Sequence, residues 1–471
     1  MSQLTNHPAN KSDAPGRFAR LIAAARACGP RRIFWLAFAV RLAVIALCRY
    51  YKLNPEMDHF HFGAEMGRIA RALATGRGYA DPFLGPSGPT AWVTPLFPLI
   101  LAGIFKLFGV YSTLSAWTIL IFDSLLNALM IPLIWEMGER CFDARVARWS
   151  AWFWALYPAA MQYGVKWIWE TTLTAVLFQL TLVIALRVGN VGGRNGDGPT
   201  WTRWLGFGVL WGLIALSNPS LLLFLPVCGV WMLARVGKNW SIQLPKAVVA
   251  GLLFFAVIAP WSWRNQRFFH QFVPLRTNFG AELYMGNGPG ATGVMMLYDH
   301  PVKNPRQFEL YRQMGELRYT AWRGELAKEA IRADRPRFLR LCLTRVYFFW
   351  FGVPNADLSA LANFGRGLNY GFTSVAGLLG LGLALRRRVQ GAGLFVAAFL
   401  LLPAVYYIVT AHARFRHPLE ALITLLGVYL FQQAECRWGF TLPGLRRLWP
   451  LGAERGKDCT QDLQAAKTLS P

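Results

Sequence analysis

The stretch AVVAGLLFFAVIAPWSWRNQRFF, residues 247–269, runs 17 residues without a charge before it meets Arg264 and Arg267. A helix needs about 20 mostly apolar residues to cross a bilayer, so this run reads as a membrane span. Nine other segments read the same way: 33–50, 114–135, 147–164, 171–187, 203–217, 220–236, 370–385, 391–410 and 418–434. Ten spans of this kind make an all-α polytopic membrane protein, because only helices or closed barrels satisfy their backbone in lipid.

Composition agrees. The chain has 471 residues, of which 54% are hydrophobic and 15% charged, with 20 Trp and 33 Phe. An average soluble domain carries about 25% charged residues. The net charge of +25 does not point to nucleic acid, because the basic residues punctuate apolar segments. Cytoplasmic loops need such residues to fix orientation. The seven cysteines are scattered without CxxC spacing, which excludes a disulfide framework or a zinc site as the organising feature.

Charge sets the topology. Residues 1–32 carry Lys11, Arg17, Arg20, Arg26, Arg31 and Arg32 and read as a cytoplasmic basic tail before an uncleaved first span. Residues 51–113 then lie outside. If the apolar run 95–109 crossed, Arg140, Arg145 and Arg148 would fall outside, so it reads as interfacial. The same test keeps 338–352 interfacial and Arg386 to Arg388 inside. The membrane domain is therefore 33–435, with large outer segments 51–113 and 265–369. Inside loops are expected at 136–146, 188–202, 237–245 and 386–390, and both termini are cytoplasmic. The loop at 188–202 is a glycine-rich linker, Pro336 is expected to separate two outer helices, and 436–471 is expected to be a disordered cytoplasmic tail.

Some outer residues break the charge rule. Arg264, Asn265 and Arg267 end one span on the outside, and His412, Arg414, Arg416 and His417 end another. One arginine at a span end reads as a snorkelling anchor. Two clusters on one face suit the oxygens of a phosphate at headgroup depth, and His412 is a further candidate there. The acids on that face are Asp58, in MDHFHFG, and Glu170, in KWIWETTL. A helix start is the plain reading of each, with Asp58 as N-cap of a helix over 59–73. His59 and His61 are two apart and would point to different sides, one of them to the cavity. Asp123, an ionisable group inside a span, is functional by default, with a structural contact to Asn127 one turn away as the weaker reading.

At this point several motifs, taken in order, resemble a known family. They are MDHFHFGAEMGRIARALATGRGYADPF (57–83), PTAWVTPLFPLILAGIFKLFG (89–109), ALYPAAMQYGVKWIWETTL (155–173), NPSLLLFLP (218–226) and ARFRHPLEALITLL (413–426). The family is that of the polyprenyl-phosphate-sugar-dependent glycosyltransferases of the GT-C fold, close to bacterial protein-mannosyltransferase-like and aminoarabinose-transferase-like enzymes. The resemblance implies a GT-C bundle with its active site on the non-cytoplasmic face of the plasma membrane. It implies a polyprenyl-phosphate-linked sugar donor and a glycan, lipid or protein acceptor. Asp58 would be the catalytic base and Glu170 an acid assisting the acceptor or a metal. Arg264, Arg414 and Arg416 would hold the lipid phosphate. Direct displacement with one base would invert the sugar. Many relatives carry a second acid after the first-loop aspartate, where this chain has His59. Glu56 is the nearest acid upstream, so a divalent Mg or Mn site stays open. Two rivals stay open beside this reading: a multispan transporter or lipid-carrier flippase, and a non-catalytic subunit of envelope-glycan assembly. A transporter would place ionisable groups near the midplane within repeats, and neither is evident here.

Overall fold

A computed structural model describes residues 23–55, 61–355 and 358–438. Among them the regular structure is helical, apart from one isolated bridge between Ala80 and Pro89. Helix α1 (Pro30–Leu47) opens on a proline, whose missing N–H has no partner to lose at a first helical position. Next comes α2 (Glu65–Ala74). The expected helix over 59–73 is corrected here. Phe62, Gly63 and Ala64 take left-handed φ values of 53°, 81° and 48°, which a helix cannot continue through. The helix starts at Glu65 with Ala64 as N-cap, and Asp58, expected as the cap, lies outside the described residues. The interfacial run expected at 95–109 is α3 (Leu96–Phe108).

Helix α4 (Thr113–Cys141) is about 43 Å long at 1.5 Å per residue. Mid-span Arg41 on α1 is fully buried against it. Its Nε and Nη2 donate to Asn127 Oδ1 at 3.0 and 2.7 Å, and Nη1 donates to the Ala37 carbonyl at 2.9 Å. The structural Asp123–Asn127 contact does not form: Asn127 is taken by Arg41 and by the Ala160 carbonyl, and both Asp123 oxygens are without a partner. The run 147–164, read as one span, is two helices, α5 (Ala144–Leu156) and α6 (Pro158–Val165). Pro158 disfavours helical backbone at the residue before it, and Tyr157 is extended.

Helix α7 (Thr171–Val188) is buried on nearly every side and forms the centre of the bundle, as a helix apolar all round should. After it come α8 (Trp201–Ala215), a 3-10 turn at Pro219–Leu223, α9 (Phe224–Arg235) and α10 (Trp240–Phe269). The opening stretch is thus the last 23 residues of a 30-residue helix. Helix α10 shows much of its surface to lipid but meets α8 closely. A Cβ on Gly208 would lie 2.2 Å from the Ala250 carbonyl, and one on Gly212 2.6 Å from Val257. Small residues four apart allow such contact.

The second segment expected outside, 265–369, called the second outer segment below, folds into α11 (Phe279–Asn287), α12 (Pro305–Met314), α13 (Glu316–Ala333) and α14 (Arg335–Phe351), with Pro336 opening the last as expected. Then follow α15 (Ala360–Arg386), α16 (Ala392–Leu401), α17 (Ala404–Ile408), a 3-10 turn at Ala413–Arg416 and α18 (His417–Trp438). The run 391–410 is therefore also interrupted, at Leu402 and Pro403. Helices α4, α7, α10 and α15 are long and apolar enough to cross a membrane, and shorter apolar stretches at Leu96–Phe108, Pro219–Arg235 and Ala392–Ile408 accompany them. The chain is an all-α polytopic membrane protein.

Two buried charges tie the outer parts together. Glu316 accepts from Thr90 Oγ1, from the Ala91 N–H at 2.7 Å, from Thr277 Oγ1 at 2.6 Å and from the Tyr311 hydroxyl at 2.7 Å. This joins the first outer segment to the second. Arg345 donates to the carbonyls of Gly286 and Ile408 and to Asn287 Oδ1, joining α11 and α14 to the end of α17.

Candidate active site

Where those ties meet, a cavity of about 160 Å³ opens. Four separate pieces of chain build its polar wall. Glu65 comes from the first turn of α2, Glu170 from the residue before α7, Arg276 and Glu282 from the start of the second outer segment, and Arg414 from the 3-10 turn before α18. His300 lines the same cavity, and Trp92, Trp169 and Tyr406 supply flat apolar walls of the kind a sugar ring stacks on.

Arg414 is the telling group. Its guanidinium lies 4.0 Å over the Trp169 ring, and its buried Nε and Nη1 have no hydrogen-bond partner. Glu170 Oε2 is also buried and without a partner. Buried polar atoms are nearly always paired in native proteins, so unpaired donors beside a cavity mark a place where a ligand completes the site. Arg276 lies 3.6 Å from Glu282, whose carboxylate also accepts from Asn278 at 2.6 Å.

Burial pushes both Glu65 and Glu170 up to about 7. Arg414 opposes the rise at each, while Glu282 adds to it at each. Carboxyls poised near neutrality are suited to taking or giving a proton. Among the described residues, no group of three His, Cys, Asp or Glu side chains is placed to hold a divalent metal.

Of the residues singled out in the sequence, Glu170 and Arg414 reach the cavity. Asp58 and His59 lie outside the described residues. Arg264 is not brought there. It donates to the Thr90 and Tyr79 carbonyls at 2.7 and 2.8 Å and to Asn265 Oδ1 at 2.9 Å, and it stacks between Tyr79, Trp261 and Phe268. Asn265 in turn donates to the Val273 carbonyl. Arg416 is fully buried away from the cavity, paired with Glu420 at 2.8 Å and donating to the Trp350 and Tyr370 carbonyls. Both guanidiniums hold backbone: Arg264 spends three of its five N–H donors on the Thr90 and Tyr79 carbonyls and on Asn265. His412 caps the 3-10 turn by accepting from the Arg414 N–H, and His61 accepts from the Asn54 N–H; neither lines the cavity. The sequence reading missed Glu65, Arg276, Glu282 and His300. Glu65 stands in the quoted first-loop motif, seven residues after Asp58, where it looked like one more charge on an amphipathic helix.

Residues 92–263 match the dolichyl-phosphate-mannose-protein mannosyltransferase family. The mannosyltransferase match supports the resemblance read from the motifs. It covers the Glu170 motif, the α8–α10 crossing and the aromatic wall at Trp92. No curated protein matches the sequence. Among solved structures, the chain is similar to the Archaeoglobus fulgidus oligosaccharyltransferase in complex with Zn and sulfate, at 15% identity and TM-score 0.48, covering 92% of this chain and 51% of that one. It is similar to AglB from the same organism in complex with an inhibitory peptide and a dolichol-phosphate, at 16% identity and TM-score 0.46, covering 93% and 54%. It is also similar to ArnT from Cupriavidus metallidurans bound to undecaprenyl phosphate, at 15% identity and TM-score 0.35, covering 84% and 78%. The chain spans about half the length of the archaeal chains it matches.

Proposed function

We propose that this chain is a membrane glycosyltransferase that moves a sugar from a polyprenyl-phosphate donor to an acceptor on the non-cytoplasmic side. The observation that carries this reading is the pair of buried, unpaired nitrogens of Arg414, Nε and Nη1, in the cavity that Glu65 and Glu170 also line. The family matched by residues 92–263 is named for a dolichyl-phosphate sugar, which supports the donor class.

In this reading the donor phosphate seats against Arg414 and Arg276. As the bond from the sugar's anomeric carbon to the phosphate oxygen breaks, charge grows on the phosphate, and fixed guanidiniums stabilise it without reorganising. A carboxylate takes the proton of the attacking acceptor hydroxyl. Nearby negative charge also favours the oxocarbenium-like sugar. Direct displacement inverts the anomeric centre. The resemblance assigns the base to Asp58, and that assignment rests on the motif alone. Sidedness is supported by α7: Glu170 sits at its start, while Arg187 near its other end pairs with Glu136 at 2.7 Å in an arginine-rich network suited to the cytoplasm.

The test is sugar transfer from undecaprenyl-phosphate mannose in membranes carrying the protein. Arg414→Ala should lower transfer by about 10²–10³-fold at normal protein level. Undiminished transfer in that variant would point instead to a transporter or an assembly subunit.

A further inference from the structure

The carboxylate of Glu65 does not stand alone. Its Oε1 lies 3.6 Å from Nε2 of His300, a residue 235 positions away in the sequence. The imidazole is held on its other side. His300 Nδ1 accepts from the Val302 N–H at 3.1 Å, which places the ring proton on Nε2, directed at Glu65. The ring is buried and braced edge-on by Phe83 at 5.7 Å and Trp92 at 5.8 Å. Backbone N–H, imidazole and carboxylate thus form a chain that ends in the cavity. The Oε1–Nε2 separation is slightly longer than a hydrogen bond, as catalytic pairs commonly are before substrate closes the site.

Resting on the glycosyltransferase reading, we propose that Glu65 is the catalytic base for the acceptor hydroxyl and that His300 is its positioning residue. The acceptor's O–H proton passes to a Glu65 oxygen as the acceptor oxygen bonds to the anomeric carbon. The bond from that carbon to the phosphate oxygen breaks, and its electron pair leaves with polyprenyl phosphate against Arg414. The His300 N–H favours the ionised carboxylate before the transfer. The other charged groups acting on Glu65 are Arg414 from the 3-10 turn, Glu282 from α11 and Glu170 from the start of α7. Arg414 favours the ionised form, and the two glutamates favour the protonated one. Burial adds to the protonated side and holds the group near neutrality, where it can act as a base at physiological pH.

The experiment measures release of undecaprenyl phosphate from undecaprenyl-phosphate mannose in host membranes carrying the full chain, across pH 5.5–8.5. Glu65→Gln is expected to lose about 10²–10⁴-fold in rate with protein level unchanged. His300→Gln keeps a donor near the Nε2 position and should stay within about threefold of wild type. His300→Phe keeps the ring packing but removes the donor, so its acidic limb should move about one unit to higher pH, a tenfold loss at low pH. A merely structural histidine would lower the amount of folded protein and leave that limb in place, which overturns the positioning role. Full transfer in Glu65→Gln together with loss in Asp58→Asn makes Asp58 the base and overturns the inference while leaving the transferase reading intact. No release by wild type above control membranes overturns both.

Discussion

Arg264 and Arg414 look alike in the sequence, each an arginine at the outer end of a span, and their surroundings separate them. Arg264 spends its guanidinium on two backbone carbonyls and one amide, whereas Arg414 keeps buried nitrogens unpaired. Their alanine variants should therefore fail differently. Arg264→Ala is expected to cost about 1.5–3 kcal/mol through lost charged hydrogen bonds, read as a lower melting temperature in detergent. Arg414→Ala should melt near wild type and lose transfer. A second contrast lies within the membrane. Asn127→Leu would remove the side-chain acceptor of the buried Arg41 guanidinium and leave it only backbone carbonyls, and losing hydrogen bonds to a charged group costs about 1.5–3 kcal/mol each. Asn127→Leu should reduce folded yield severely, and the double variant Arg41→Met/Asn127→Leu should recover much of it. No recovery would mean that Arg41 is held by its carbonyl contacts alone.

At the scale of elements, helices were readable because their cause is local. Apolar length and proline position can be read along the chain, and each of the ten expected spans is helical. Where the reading slipped, the physics was again local but weaker. Pro158 and Pro403 each sit in an apolar run long enough to be taken as one span, and each interrupts its helix. How closely the helices pack is less legible. Gly208 and Gly212 on α8 look like any membrane glycines, yet a Cβ at the first would run into the Ala250 carbonyl. Gly208→Ala should therefore lower thermal stability and folded yield, because the obstacle is backbone and cannot swing aside. Gly229→Ala on α9, where a Cβ meets nothing within 4 Å, serves as the matched control and should melt at or above wild type.

For the whole molecule, the cavity exists because Glu316 and Arg345 hold distant segments in register, 226 positions from Thr90 to Glu316 and 63 from Arg345 to Ile408. Glu316→Gln puts an amide N–H₂ among four donors, leaving at least one facing another donor, at a cost of about 1–3 kcal/mol. Its transfer rate should fall although Glu316 touches no substrate, because Trp92 and Arg276 lose their common anchor. The pH profile also belongs at this scale. With Glu65 and Glu170 both pushed up to about 7, the base is protonated below that pH and ionised above it. The transfer rate should therefore rise between pH 6 and 8, and a rate flat across that interval would show that neither carboxyl limits the reaction.

By itself the sequence determined a helical, multispan protein, the sidedness to expect of it and the motifs that set it beside lipid-phosphate sugar transferases. Those properties follow from the hydrophobic cost of the bilayer and from charge bias, both of which act on contiguous residues. Only the tertiary structure decided which charges meet. Glu65 and His300, or Glu170 and Arg414, become neighbours through packing across the fold, and the same packing consumes Arg264 and Arg416 in holding backbone. Whether an arginine binds a ligand or a carbonyl depends on what lies within 3 Å of it in space, and adjacency along the chain carries no record of that.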